Sequence, residues 1–188
     1  MSTSGYIKER ILSEKELQEA KDYAERSDWI DVFQMYNIFH LKRSDIGYDK
    51  GKGLGFANTL LKYSRKDACI GFYFLKYIKG SFTRMHHDDK STMTIVTLLD
   101  DKDLVGGQSI VSARYEERAR PVKEICSRHK GERENPPYGE EIVPDVIPIG
   151  PGESLVYGPD LKHGVSKVYG GERLVLVAWF KDKGEGEE

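Results

Sequence analysis

Cysteine is scarce in this sequence, and neither sign of charge is in excess. Two cysteines, Cys69 and Cys126, in 188 residues are too few for a disulfide framework or a cysteine-based metal site. The 29 Lys and Arg residues nearly balance the 31 Asp and Glu residues, which gives a net charge of −2. Proteins that bind nucleic acid by neutralising phosphates are usually strongly basic, so this balance argues against a nucleic-acid partner.

Long hydrophobic runs are also missing. The longest apolar run, at 174–180, has seven residues, and the first residues of the sequence are polar. We therefore expect neither a signal peptide nor a membrane span, and we expect a cytoplasmic, reduced protein. What is present is 11% aromatic residues, which is typical of a folded chain, and a length that predicts a single domain over 1–188.

The first predicted element is a helix that follows Ser13. Ser13 and Glu16 have the spacing of a capping box, and Leu17, Ala20 and Ala24 recur at helical intervals. These residues indicate an amphipathic helix near the start of the chain.

We place a helical N-terminal region at about 10–66. Within it, residues 29–43 mix aromatic and polar side chains without a clean period and predict neither helix nor strand. Residues 44–55 contain four glycines among Lys and Asp, which is typical of a flexible loop.

Beyond residue 70 the sequence predicts short strands rich in Val, Ile, Tyr, Phe and Thr, with no helices alternating between them. This pattern argues against a parallel βαβ sheet and favours a mostly β fold with N-terminal helices (α+β), whose core is a double-stranded β-helix, or jelly roll. The predicted core spans about 70–181. Its strands are expected near 70–79, 92–99, 107–112, 153–157, 163–168 and 173–181.

A segment at about 113–145 interrupts this core. It is dense in charges of both signs and short of core residues, which predicts a long surface insertion, partly helical near 115–127.

The densest cluster of chemically active side chains is at residues 85–89. On an extended chain, His86 and Asp88 lie on one face, because their spacing is two residues. A His and a carboxylate from one strand end, joined by a distant His, form the facial triad of non-haem Fe(II) sites. His87 and Asp89 have the same spacing and are the alternative pair.

Together with residues before and after it, this cluster has the order and spacing of motifs in the Fe(II)/2-oxoglutarate-dependent dioxygenases. The sequence resembles most the prolyl 4-hydroxylase-like branch of that family. The resemblance covers about 70–181 and favours His86 with Asp88 over the alternative pair. It depends on Tyr77-x2-Gly80-x5-His86-x-Asp88, on the glycines after Asp103, and on His163, Arg173 and Trp179.

The resemblance implies a role for each matching residue. His86, Asp88 and His163 would bind Fe(II), and Arg173 would bind the distal carboxylate of 2-oxoglutarate. Tyr77 would reach this cosubstrate with its hydroxyl, and Trp179 would form a wall of the pocket, although core packing explains Trp179 equally well. Thr97 stands near the position where many prolyl hydroxylases carry a cosubstrate-binding tyrosine, and the resemblance implies that Thr97 contacts the cosubstrate there.

The resemblance also implies an activity. The enzyme would use Fe(II), 2-oxoglutarate and O2, with ascorbate as reductant, to hydroxylate an unactivated C–H bond and release succinate and CO2. The favoured substrate is a prolyl residue of a peptide or protein, and a free amino acid or other small molecule is the alternative. Two rivals stay open: a metal-dependent jelly-roll enzyme without 2-oxoglutarate, which has no need of Arg173, and a non-catalytic jelly-roll binding module.

Overall fold

The computed structural model describes residues 5–66, 68–112, 120–121, 140–141 and 145–182. The helices in this part of the chain are α1 (Glu14–Glu25), α2 (Tyr48–Gly51) and α3 (Gly55–Ser64). Its strands are β1 (Tyr6–Glu9), β2 (Ile30–Met35), β3 (Ile38–Ile46), β4 (Ala68–His86), β5 (Met93–Asp100), β6 (Val105–Gly106), β7 (Ser109–Val111), β8 (Arg120–Pro121), β9 (Glu140–Glu141), β10 (Asp145–Ile147), β11 (Ser154–Tyr157), β12 (His163–Val165), β13 (Val168–Gly170) and β14 (Arg173–Lys181).

Most strands join one curled antiparallel sheet in the order β1-β11-β5-β14-β4-β12-β7-β10. The β2–β3 hairpin extends this sheet by pairing with β4. Strand β4 connects the two halves of the sheet, because its first part pairs with β14 and its last part with β12. The prediction of a mostly β fold with N-terminal helices is confirmed.

The two faces of the sheet have different partners, as β14 shows. Side chains of one face pack in a core with α1 and α3; they are Leu174, Leu176, Ala178 and Phe180. Side chains of the other face line a cavity inside the curled sheet; they are Arg173, Val175, Val177 and Trp179. Because successive residues of a strand point to opposite faces, the helices cover the outside and the inner face is left for a ligand.

Helix α1 begins as its sequence predicts. The Ser13 backbone N–H donates to a carboxylate oxygen of Glu16 at 2.8 Å, and the Glu16 backbone N–H donates to Ser13 Oγ at 3.3 Å. This reciprocal capping box satisfies two backbone donors at the start of the helix. Leu17, Ala20 and Ala24 are buried on one side of α1.

The predicted helical region at about 10–66 is wrong in its middle. Residues 30–46 form the β2–β3 hairpin, which residues 36–37 close. The alternation of apolar residues was hard to see there because Ile30 and Phe33 are apolar yet exposed, at 56% and 76%.

The flexible loop predicted at 44–55 is also wrong, because this stretch holds the end of β3, the short helix α2 and the start of α3. Leu54, which precedes α3, makes no side-chain capping bond. Instead, Glu19 of α1 accepts hydrogen bonds from the backbone N–H groups of Gly55 and Phe56, both at 3.1 Å. A cap that comes from another helix leaves no signal in the local sequence.

The predicted insertion at about 113–145 is described only in part. Strand β8 pairs antiparallel with β9, and β10, at its end, joins the main sheet beside β7. The helix predicted near 115–127 is wrong at 120–121, which form β8, and the other residues of that range lie outside the described residues, as do Cys126 and His129. No helix among the described residues is long and apolar enough to cross a membrane.

Candidate metal centre

The pairing of β12 with β4 brings three of the predicted site residues together. His163, the first residue of β12, lies directly opposite His86, the last residue of β4, and Asp88 follows in the next turn. Asp88 Oδ1 lies 3.3 Å from His86 Nε2 and 3.5 Å from His163 Nε2. One ligand atom from each side chain lies within 4.8 Å of the others. This group could therefore hold one metal ion.

Both histidines are oriented by backbone carbonyl groups. Nδ1 of His86 lies 2.7 Å from the carbonyl oxygen of Arg84, and Nδ1 of His163 lies 2.9 Å from that of Leu161. Because a carbonyl oxygen can only accept, each Nδ1 donates its proton to the carbonyl, and Nε2 is the nitrogen that would bind a metal ion once the imidazole is neutral. Protein metal ligands are typically held in this way.

Asp88 is buried, and its second oxygen is held by the sheet. Its Oδ2 accepts a hydrogen bond from Thr94 Oγ1 at 2.7 Å, and Ser91 Oγ lies 3.0 Å from the same hydroxyl. Burial by itself would raise the pKa of Asp88, but hydrogen bonds from His163, His86 and Thr94 outweigh it and hold the pKa below its ordinary value. The carboxylate is thus ionised, as a metal ligand must be.

The alternative pair of His87 and Asp89 does not reach this point. Both residues are exposed, and Nδ1 of His87 lies 3.0 Å from the carbonyl oxygen of Pro159. His40 lies on the β2–β3 hairpin, where its ring makes an edge contact with Phe33 at 4.6 Å between centroids. Of the histidines in the described part of the chain, only His86 and His163 belong to a group that could bind a metal.

Arg173 is the largest of the most deeply buried side chains, and it lines the same cavity as the three metal-site residues. Its Nη1 donates to the Gly107 carbonyl oxygen at 3.2 Å and its Nη2 to Ser109 Oγ at 2.7 Å. Burial lowers the pKa of Arg173 from its ordinary value, yet a guanidinium remains protonated. No carboxylate of the described residues pairs with it, so the cavity has an uncompensated positive charge that favours an anionic ligand.

Tyr77 and Trp179 lie where the sequence predicts, on the wall of this cavity. Tyr77 is opposite Arg173 in the pairing of β4 with β14, but its hydroxyl lies 2.8 Å from Thr83 Oγ1 and is engaged there. Trp179 is half-buried and makes an edge contact with Tyr73, with ring centroids 5.8 Å apart.

Thr97 does not line the cavity, which corrects its predicted contact with the cosubstrate. On β5, Thr94 and Val96 point into the cavity, so Thr97 points to the opposite face. There its Oγ1 lies 2.7 Å from Ser154 Oγ, and the side chain is fully buried.

The sequence did not predict that Tyr157 and Tyr73 belong to the site. The Tyr157 ring packs against His163, with centroids 4.4 Å apart, and both tyrosines are buried at the cavity wall. Tyr73 stands four residues before Tyr77 on one strand, and this even spacing places both on one face and was a usable signal. Nothing local reveals Tyr157, because its position depends on β11 lying beside β5.

No protein-family model matches the chain, and no curated protein matches its sequence. Solved structures do match in fold. A 2OG-Fe(II) oxygenase family oxidoreductase from Burkholderia pseudomallei is 14% identical with a TM-score of 0.65, covering 94% of this chain and 85% of the other. A Pseudomonas putida prolyl-4-hydroxylase is 17% identical with a TM-score of 0.58, covering 97% and 95%. HygX from Streptomyces hygroscopicus, with nickel and 2-oxoglutarate bound, is 16% identical with a TM-score of 0.62, covering 97% and 84%.

The chain thus has the jelly-roll fold of the 2OG-Fe(II) oxygenases, as its sequence predicts. Structures with this fold also include an epimerase and a carbocyclase from nogalamycin biosynthesis, so the fold alone does not define the reaction. The convergence of His86, Asp88 and His163 removes the form of the binding-module hypothesis in which these side chains do not meet.

Proposed function

We propose that the chain is an Fe(II)- and 2-oxoglutarate-dependent dioxygenase that hydroxylates an unactivated C–H bond. The observation that carries this proposal is the buried Arg173, which has no carboxylate partner among the described residues and lines the same cavity as His86, Asp88 and His163. A metal-dependent enzyme without an anionic cosubstrate has no use for this buried charge.

The residues fit Fe(II) in number and type. Two imidazoles and one carboxylate form the donor set of non-haem Fe(II) oxygenases and leave open positions for a cosubstrate and oxygen. When bound, Fe(II) would supply the oxidation in which O2, 2-oxoglutarate and the substrate C–H group yield a C–OH group, succinate and CO2. His86, Asp88 and His163 would hold the metal.

The other cavity residues bind and orient. Arg173 would bind the distal carboxylate of 2-oxoglutarate with the N–H groups that it does not donate to Gly107 and Ser109. Trp179 would form part of the wall that keeps water from the reacting groups.

For the substrate we propose a prolyl residue of a peptide or protein, with a single catalytic domain over 1–188. The support is that prolyl hydroxylases are among the proteins with this fold, including a viral collagen prolyl hydroxylase. A free amino acid or other small molecule is the second candidate, because HygX has been crystallised with hygromycin B bound.

Anaerobic titration of the apoprotein with Fe(II) and then 2-oxoglutarate tests the proposal. We expect a weak visible charge-transfer band that is absent in His163→Ala and needs a higher 2-oxoglutarate concentration in Arg173→Ala. Iron binding without a band would favour the enzyme that uses no 2-oxoglutarate. Failure to bind iron would leave a non-catalytic module.

Release of succinate from 2-oxoglutarate in the presence of candidate substrates tests the finer proposal. We expect proline-containing peptides to stimulate succinate release above the rate without substrate. Stimulation by free amino acids alone would favour the second candidate.

A further inference from the structure

Two buried tyrosines of the cavity wall carry hydroxyl groups without a hydrogen-bond partner in the described part of the chain. Tyr73 and Tyr157 are each 7% exposed and both line the cavity. Neither hydroxyl has a hydrogen-bond partner among the described residues, and neither is a fully buried polar atom. Because buried hydroxyl groups normally form hydrogen bonds, these two groups call for a ligand with oxygen atoms.

Tyr157 is at the metal end of the cavity. It lies opposite Thr94 in the pairing of β11 with β5, and Thr94 lies opposite Trp179 in the pairing of β5 with β14. The Tyr157 ring packs on His163, with centroids 4.4 Å apart. Arg173 stands six residues before Trp179 on β14, so its backbone lies toward the other end of the cavity and its long side chain extends into the cavity. The ring contact with His163 places Tyr157 beside the metal site.

The other candidate hydroxyl groups are engaged or lie elsewhere. The Tyr77 hydroxyl is paired with Thr83, and Thr97 faces away from the cavity. Tyr73 lies on the β3 side of the sheet, where the Arg43 guanidinium covers its ring at 4.0 Å from the centroid. Among the described residues, Tyr157 is thus the phenol that has no hydrogen-bond partner and contacts a metal-site residue.

We propose that the Tyr157 hydroxyl donates a hydrogen bond to the 2-oxo acid head of 2-oxoglutarate, the end that faces the metal site. This inference rests on the proposed function and adds to it a binding residue that the sequence did not predict. Arg173 and Tyr157 would then hold the two ends of the cosubstrate. A hydrogen bond to a charged carboxylate is stronger than one between neutral groups.

Calorimetric titration of the Ni(II)-loaded protein with 2-oxoglutarate tests the inference without turnover. Tyr157→Phe keeps the ring against His163 and removes only the hydroxyl. We expect this variant to bind 2-oxoglutarate about tenfold more weakly, with unchanged Ni(II) affinity. Tyr23→Phe, which removes a hydroxyl from α1 in the core on the other face of the sheet, is the matched control, and we expect its 2-oxoglutarate affinity to stay within about threefold of the wild type.

Pyruvate, which has the 2-oxo acid head and lacks the distal carboxylate, shows which end Tyr157 contacts. Tyr157→Phe should weaken the binding of pyruvate and of 2-oxoglutarate by the same factor, whereas Arg173→Ala should weaken only that of 2-oxoglutarate. If Tyr157→Phe weakens the binding of 2-oxoglutarate and not that of pyruvate, the contact is at the distal end and the inference is wrong.

Two further outcomes separate this inference from the proposed function. If Tyr157→Phe binds both acids as the wild type does while Arg173→Ala loses 2-oxoglutarate, Tyr157 has no binding role and the proposed function stands. If the wild-type protein binds Ni(II) but not 2-oxoglutarate, both proposals fail.

Discussion

The Asp88 carboxylate divides its two oxygens between the histidines and the sheet. Oδ1 faces both Nε2 atoms, and Oδ2 accepts from Thr94. We expect Thr94→Val to leave Asp88 free to rotate and to weaken Fe(II) binding about 10- to 100-fold. Anaerobic competition with a chelator measures this affinity.

Thr97→Val is the matched control for Thr94→Val. It makes the same substitution at a fully buried residue of the same strand, where the hydroxyl bonds Ser154 on the opposite face. It should lose stability without losing Fe(II) affinity. Equal losses of Fe(II) affinity in the two variants would show that Thr94 has no specific effect on Asp88.

A second prediction concerns the buried charge of Arg173. Its replacement should weaken 2-oxoglutarate binding without markedly lowering the free energy of unfolding. Arg173→Met replaces an uncompensated buried cation with an apolar chain of similar length, at the cost of two hydrogen bonds. We expect the free energy of unfolding to stay within about 1 kcal/mol of the wild type or to rise. Binding of 2-oxoglutarate should fall at least about 100-fold.

Urea denaturation of the metal-free protein and calorimetry of the Ni(II)-loaded protein measure these two quantities. A loss of more than about 2 kcal/mol in the metal-free protein would mean that Arg173 mainly stabilises the fold.

At the scale of elements, the start of α3 depends on Glu19 of α1, which caps Gly55 and Phe56. Because no side chain of its own segment caps this helix, we expect Glu19→Ala to lower the free energy of unfolding by about 1–2 kcal/mol. Glu25→Ala, at an exposed position at the end of α1, should change it by less than about 0.5 kcal/mol. Urea denaturation compares them, and similar values for the two variants would contradict this role of Glu19.

Local sequence patterns were sufficient to predict some of the helices and strands but not others. The capping box of α1 and the strand at 173–181 follow from local residues, and both are confirmed. The β2–β3 hairpin was not predicted, because its exposed apolar residues hide the period of two. Helix α3 lacked its start signal, because the capping carboxylate comes from 36 residues earlier in the chain.

For the whole molecule, the position of the cavity leads us to expect that ligand binding stabilises the folded chain. The metal-site residues come from the junction of β4 with β12, and Arg173 comes from β14, so an occupant bridges both halves of the sheet. A ligand that binds only the folded chain stabilises it by about 2.7 kcal/mol at 100 times its Kd. We therefore expect Ni(II) with saturating 2-oxoglutarate to raise Tm by roughly 5–10 °C, measured by scanning calorimetry.

Two controls accompany this measurement. With a chelator in place of Ni(II), 2-oxoglutarate should raise Tm much less, and His163→Ala should show little shift with both ligands present. An equal rise without metal would place the 2-oxoglutarate site away from the metal centre.

The sequence by itself determined the local patterns: the His86–Asp88 spacing, the alternating faces of the last strand and the helix at Ser13. The order of motifs also predicted the fold and the residues to examine. These features depend only on neighbouring residues and on the period of the backbone.

Only the tertiary structure decided which distant groups meet. The pairing of β12 with β4 placed His163 opposite His86, and the pairing of β11 with β5 brought Tyr157 to the metal end. It also decided that Thr94 faces the cavity while Thr97 faces away. The alternation along a strand is local, but the face that points inward depends on which strands pair and how the sheet curls, and these depend on contacts far apart in the chain.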